Sequence, residues 1–128
     1  MDTISNMIIM IKNASTAKKS AVIVPYSKLN FAIAQCLEKE GFIVGAEKVN
    51  HDGRSFLEIT VKYNDGQPKV NGVKRISKPS RRIYFGFKDI KLIKQGFGAI
   101  VLSTPKGIMS GKEAKKELVG GEALFEIW

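Results

Sequence analysis

The sequence is poor in the residues that carry catalysis, metal binding and covalent cross-links. It contains one cysteine, Cys36, and one histidine, His51, among 128 residues. A single cysteine cannot form a disulfide within the chain, which fits a reducing compartment. No local pattern supplies a metal-ligand cluster, a phosphate-binding loop or a nucleophile beside a base. The sequence therefore predicts a protein that is not an enzyme and needs no metal or cofactor.

Long hydrophobic runs are also absent. No apolar stretch reaches the roughly 20 residues that a membrane-spanning helix needs. Residues 1–12 are apolar, but they lack the leading basic region and small-residue cleavage site of a signal peptide. We therefore expect a cytoplasmic protein without a membrane partner.

Positive charge, by contrast, is abundant and concentrated. The chain has 21 Lys and Arg against 12 Asp and Glu, a net charge of +9. Residues 74–94 hold eight of these cations and one carboxylate, that of Asp89. A solvated surface usually mixes both signs, so this stretch favours a polyanionic partner such as nucleic acid over a merely soluble basic protein.

The first half of the chain has the patterns of a small α/β unit. Apolar residues recur at helical spacing over residues 4–11, which predicts a first helix. Ser27 is a typical N-cap for a second helix, and Gly41 stands where a left-handed C-terminal cap belongs. Strands are predicted at 21–24, 43–49 and 57–63.

Turn formers at residues 64–68 mark the best boundary, which predicts domains at 1–66 and 67–128. Short strands are predicted beyond it at 73–77, 83–87, 99–104 and 122–128. Ser110 and Glu113 form a capping-box pair for one short helix, which Gly120-Gly121 should stop. The fold class is therefore α+β, with an N-terminal α/β domain of two helices and a short sheet. The C-terminal domain is mainly β with one short helix.

A turn loaded with cations, Lys78-Pro79-Ser80-Arg81-Arg82, leads into the strand at 83–87. Guanidinium groups suit phosphate because their fork of donors matches its oxygens. On this strand Tyr84 should face away from Ile83, Phe85 and Phe87, which are better core residues. Tyr84 is thus either an aromatic that stacks on an RNA base or a simple interface residue.

Small and hydroxylated residues follow the strand at 99–104, in the segment Ser103-Thr104-Pro105-Lys106-Gly107. Such residues let an RNA backbone come close, and hydroxyls can recognise a ribose 2′-OH. On this segment alone, an ordinary loop between a strand and a helix is the simpler interpretation.

Several ordered motifs resemble the small-ribosomal-subunit protein eight family over the whole chain. They are Asp2-Thr3-Ile4-Ser5-Asn6-Met7 with Ile11-Lys12-Asn13-Ala14, Pro25-Tyr26-Ser27-Lys28-Leu29, Glu40-Gly41-Phe42-Ile43, Arg75-Ile76-Ser77-Lys78-Pro79 with Arg82-Ile83-Tyr84, and Leu102-Ser103-Thr104-Pro105-Lys106-Gly107-Ile108-Met109 with Ala114 and Gly120-Gly121-Glu122. The last group is the most specific.

The resemblance implies a two-domain structural constituent of the small ribosomal subunit, of bacterial or organellar type. Such a protein would bind the central domain of small-subunit ribosomal RNA directly and help to assemble the platform. It would also contact neighbouring small-subunit proteins, notably protein five. In some bacteria family members repress translation of their own messenger RNA. A general RNA chaperone or regulator outside the ribosome is the alternative that the same basic stretch would serve.

The RNA-contacting residues that the resemblance implies by position lie in both domains. In the C-terminal domain they are Tyr84, Ser103, Thr104, Lys106, Gly107, Gly121 and Glu122. In the N-terminal domain they are Lys12, Asn13 and Lys28. The charge pattern adds Lys78, Arg81 and Arg82. Glu122 would accept hydrogen bonds from base or ribose donors, or orient a neighbouring group.

Three positions depart from the family's usual pattern. Pro105 replaces a serine, which removes a hydroxyl and a backbone N–H from the expected RNA loop. Ser110-Gly111 replaces Thr-Asp, so capping survives but a first-turn carboxylate is lost. Ser80 replaces a glycine, which disfavours a type II turn there.

Overall fold

In a computed structural model of the chain, residues 2–91, 93 and 96–128 are described. Lys94, one of the cations of the basic stretch, lies outside them. The chain divides into two compact units, Thr3–Asn71 and Gly72–Trp128. The predicted domain bounds at 1–66 and 67–128 stay a prediction.

The first unit contains two helices, a three-stranded sheet and a short two-stranded ribbon. In chain order its elements are α1 (Thr3–Thr16), β1 (Ala21–Pro25), α2 (Lys28–Lys39), β2 (Ile43–His51), β3 (Arg54–Val61), β4 (Tyr63–Asn64) and β5 (Gln67–Pro68). The sheet is antiparallel in the order β1-β3-β2, and β4 pairs with β5.

Local capping sets the limits of α2 as predicted. The Ser27 hydroxyl accepts the backbone N–H of Asn30 at 3.0 Å. Gly41 adopts the left-handed conformation with φ +83°, and the Phe42 N–H donates back to the Leu37 carbonyl at 2.9 Å. This geometry seals the last turn of the helix and buries the Phe42 ring in the core of the unit.

The second unit is mainly β. In chain order its elements are β6 (Val73–Arg75), β7 (Tyr84–Phe85), a 3₁₀ turn (Phe87–Asp89), β8 (Ala99–Thr104), β9 (Gly107–Ser110), α3 (Gly111–Lys116) and β10 (Gly121–Ile127). The antiparallel sheet has the order β6-β10-β8-β9. Strand β7 also pairs with β10, at Gly121 and Glu122, whereas β6 pairs with it at Phe125, Glu126 and Ile127.

One hydrophobic cluster of the second unit packs on one face of this sheet. Its buried members come from β8, β9, β10, α3 and the segment after the 3₁₀ turn, namely Ile90, Ile100, Leu102, Met109, Ala114 and Ala123. Phe85, Phe87 and Val119 pack against that cluster. The α+β class, with two helices and a short sheet in the first part and one short helix in the later part, is confirmed.

Two predicted features of this unit were wrong in detail. The segment Ser103–Gly107 is not a loop before a helix, because Thr104 and Gly107 pair in a tight hairpin and β9 intervenes before α3. Helix α3 ends at Lys116, before Gly120-Gly121, because Leu118 takes the left-handed conformation (φ +57°). The Val119 N–H then bonds the Ala114 carbonyl at 2.9 Å, which closes the helix end.

None of the helices formed by the described residues is long and apolar enough to cross a membrane.

Candidate nucleic-acid interface

Three strands of the second unit bring Tyr84, Glu122 and Ser103 into one row. Tyr84 on β7 stands directly opposite Glu122 on β10, and Glu122 stands directly opposite Ser103 on β8. Residues directly opposite each other on neighbouring strands present their side chains on the same face of a sheet. The structure therefore places a residue of the basic segment and one of the small-residue segment on a single surface.

The tyrosine has the orientation that the strand pattern predicts. The Tyr84 side chain is 68% exposed, whereas the neighbouring Phe85 packs on the core. An aromatic ring that is open to solvent at this level offers a flat face to a partner.

An open pocket of about 500 Å³ lies beside this row. Its lining residues come from β7, from the β8–β9 hairpin and from the start of β10, namely Tyr84, Phe85, Gly86, Ser103, Thr104, Pro105, Gly120, Gly121 and Glu122. A Cβ on Gly120 would lie 2.3 Å from the Phe85 carbonyl oxygen, and one on Gly121 would lie 2.1 Å from the Ser103 carbonyl oxygen. Only glycine lets β10 pass this close to both neighbours, and it leaves the pocket floor without side chains.

An ion pair borders the pocket. The Arg82 Nη1 lies 3.3 Å from the Glu122 Oε2, and the two side chains are 56% and 14% exposed. An ion pair this open to water adds little stability. The ion pair instead sets the position of Arg82, because the more buried Glu122 carboxylate holds the Arg82 guanidinium at the edge of the pocket. Glu122 thus orients a neighbour, one of the two roles expected for it.

The cationic turn is a tight hairpin. Lys78 and Arg81 exchange two backbone hydrogen bonds, at 2.9 and 3.0 Å, with Pro79 and Ser80 at the tip. Ser80 does not adopt a positive φ, which excludes a type II turn. The side chains of Lys78 and Arg81 are exposed, and within the described part of the chain neither forms a salt bridge.

Ser77 fixes the base of this hairpin, a role that no sequence pattern indicated. Its fully buried hydroxyl accepts the Ile83 N–H at 2.9 Å and donates to the Ile83 carbonyl at 3.2 Å. Because the Ser77 hydroxyl bonds both the backbone N–H and the carbonyl of Ile83, it fixes the path of the chain from the cationic turn into Tyr84.

The two adjacent hydroxyls on β8 have different surroundings. The Thr104 Oγ1 donates to the Gly107 carbonyl at 2.8 Å and accepts the Lys106 N–H at 3.1 Å, so it holds the turn. The Ser103 hydroxyl is half-buried and has no hydrogen-bond partner among the described residues. The turn needs no backbone N–H from position 105 at its tip, which explains how it tolerates Pro105.

The remaining candidates divide between exposed and structural positions. Asn13 is exposed and Lys12 is half-buried on α1, and Lys28 is exposed at the start of α2, all in the first unit. The Lys106 ammonium lies 3.4 Å from the Glu117 carboxylate. Arg75, by contrast, is structural, because its side chain is only 14% exposed and its Nη1 donates to the Leu124 carbonyl.

Among the described residues, no group of three His, Cys, Asp or Glu side chains is placed to hold a metal ion. The surface instead combines free cations, an exposed aromatic ring and a floor of glycine backbone. The fold and this surface define a class, that of small basic α+β proteins built to bind nucleic acid.

Comparison with known proteins identifies the family. The family model for ribosomal protein S8 matches residues 2–128. The small ribosomal subunit protein uS8 of Nitrobacter hamburgensis is 45% identical over 128 residues, which cover 99% of this chain and 97% of that protein. Those of Bradyrhizobium sp. (strain ORS 278) and Rhizorhabdus wittichii are 43% and 39% identical, with the same coverage. The chain therefore belongs to the ribosomal protein S8 family, whose members are RNA-binding ribosomal proteins and not enzymes.

Proposed function

We propose that this chain is a structural constituent of the small ribosomal subunit that binds the central domain of its ribosomal RNA directly and helps to assemble the platform. The observation that supports this function best is the convergence of Tyr84, Ser103 and the Arg82–Glu122 pair around one glycine-floored pocket. The names of the relatives, all small-subunit ribosomal proteins, support the same assignment.

Each group around the pocket has a chemical role in this proposal. Lys78 and Arg81 bind phosphates, and the oriented guanidinium of Arg82 adds a fork of donors. Tyr84 stacks on an unpaired base. The Ser103 hydroxyl bonds a ribose 2′-OH or a base edge, which Gly121 allows to come close. Glu122 keeps acceptor capacity for a base amino group while it holds Arg82. Thr104, Lys106 and Gly107 shape the turn that borders the pocket.

The first unit contributes a second contact through Lys12, Asn13 and Lys28. In this proposal the domains at 1–66 and 67–128 each carry part of the RNA surface. Protein five is the neighbouring protein we propose as a contact, and the chain's own messenger RNA is a further ligand for the same surface.

The test is binding to a folded fragment of the central domain of small-subunit ribosomal RNA, with a simple RNA duplex of equal length as competitor. Wild-type protein should prefer the folded fragment strongly. Tyr84→Ala should weaken binding by at least about fivefold, since stacking on one base is worth roughly 1–3 kcal/mol.

Phe97→Ala is the matched control, because Phe97 is a 78% exposed aromatic of the same unit that does not line the pocket. Equal affinity for fragment and duplex would overturn specific recognition. A protein absent from the small-subunit fractions of a sedimented cell extract would favour the general RNA chaperone instead.

A further inference from the structure

The exposed face of α3 is made of lysines. Lys112, Lys115 and Lys116 occupy positions i, i+3 and i+4, which lie on one side of a helix. All three are exposed, whereas Ala114 on the opposite side is fully buried in the core. Within the described part of the chain, none of the three ammonium groups forms a salt bridge.

The helix dipole favours Lys115 and Lys116, which lie in the last turn of α3, but it does not account for Lys112. Lys112 lies in the first turn, where the positive end of the helix dipole disfavours a cation. Like charges three and four residues apart also repel each other. Glu117, the carboxylate that follows the helix, lies against Lys106 and not against any of these three lysines. Three unpaired cations held together in this way are better explained by an anionic partner.

Close packing fixes this lysine face on the sheet. Gly111 is buried, and a Cβ there would lie 2.4 Å from the Ile100 Cγ2 and 2.7 Å from the Ile90 Cγ2. Only glycine lets the start of α3 approach β8 so closely.

The end of α3 lies close to the pocket. Lys106 reaches Glu117 at the end of α3, and the residue before it, Pro105, lines the pocket. On the other side of the same helix end, Gly120 belongs to the pocket floor. Three residues of chain span at most about 10 Å, so Glu117 lies within that distance of the floor.

We propose that Lys112, Lys115 and Lys116 form a second phosphate-binding surface, which engages the backbone of the same RNA whose base or ribose enters the pocket. This inference rests on the proposed function and extends it to a second surface. The net charge of residues 95–128 does not indicate this surface, because four acidic side chains balance the four basic ones. The pocket would then have cations on both sides, from the Lys78–Arg82 turn and from α3.

Salt dependence tests this surface directly. Each phosphate that a cation neutralises contributes roughly 0.7 to 0.9 to the slope of log affinity against log salt. The triple variant Lys112→Gln, Lys115→Gln, Lys116→Gln should therefore lower the magnitude of that slope by about 2 for the central-domain fragment. Glutamine has nearly the helix propensity of lysine, so α3 should stay folded, which circular dichroism verifies.

The control carries the same change of charge at exposed lysines of the first unit outside the proposed contact set, Lys18→Gln, Lys19→Gln and Lys48→Gln. Its slope should stay within about 1 of the wild-type value. If the wild-type protein binds the fragment but the α3 variant keeps its slope, or if the control loses as much, the lysine face is not a phosphate site. If the wild-type protein does not bind the fragment, the proposed function itself fails.

Discussion

Ser103 and Thr104 are neighbours on β8, but only one of their hydroxyls is committed to the fold. We predict that Ser103→Ala weakens binding to the ribosomal RNA fragment and leaves the free energy of unfolding unchanged. Thr104→Ala should instead lower that free energy by about 1 kcal/mol, because the turn loses two hydrogen bonds. Urea denaturation followed by the fluorescence of Trp128, the only tryptophan, measures the second unit. Equal stability losses in both variants would contradict this division of roles.

Ser77 gives a second prediction at the scale of a single residue. Ser77→Ala removes the side chain that bonds the Ile83 N–H, and the site is too buried for water to replace it. The second unit should lose roughly 1–3 kcal/mol of stability. Ser80→Ala is the matched control, since Ser80 lies exposed at the tip of the same hairpin. A Ser77 variant as stable as this control would show that the buried hydroxyl does not hold the turn.

At the scale of elements, the end of α3 is strained. Leu118 occupies the left-handed position that glycine usually fills, at a cost of roughly 1–2 kcal/mol for a residue with a Cβ. Its side chain is 68% exposed, so little packing would be lost on replacement. Leu118→Gly should therefore stabilise the second unit by about 1 kcal/mol in urea denaturation. Leu118→Ala keeps the Cβ and should give no such gain, and a glycine variant no more stable than it would refute the strain.

The prediction for the whole molecule is that both units bind one RNA. Lys28→Gln removes a cation from the start of α2, where the helix dipole disfavours it, so stability should not fall. Arg81→Gln removes an exposed, unpaired cation of the turn in the second unit. Each change should weaken binding to the central-domain fragment, and the two free-energy costs should add in the double variant. A double variant no weaker than Arg81→Gln alone would mean that the first unit does not touch the RNA.

Features that depend on neighbours along the chain were predictable from the sequence. The N-caps Ser27 and Ser110, the left-handed Gly41, the start of α1 and the span of β8 each follow from interactions within a few residues. The α+β class follows from their order. Membership of a nucleic-acid-binding class was likewise visible in the cations of residues 74–94. These features can be predicted because the residues within one or two turns of backbone are enough to specify them.

The hairpin from β8 to β9 was not predictable, because Pro105-Lys106 lacks the usual signals of a two-residue turn. Nor was the end of α3, where Leu118 takes a conformation that its side chain disfavours. At the hairpin the pairing of β8 with β9 decides the turn, and at the end of α3 Val119 packs on the core cluster directly after the left-handed Leu118.

The sequence by itself determined the three helices, the longer strands, their order and the sign of the charge. The tertiary structure alone decided that Arg82 pairs with Glu122 and that Tyr84, Glu122 and Ser103 stand side by side. It also decided that the buried Ser77 hydroxyl bonds Ile83 and that Lys106 of the β8–β9 hairpin reaches Glu117 after α3. The physical reason is that strand register joins residues far apart in the chain, and a shift of one position would turn every side chain to the other face.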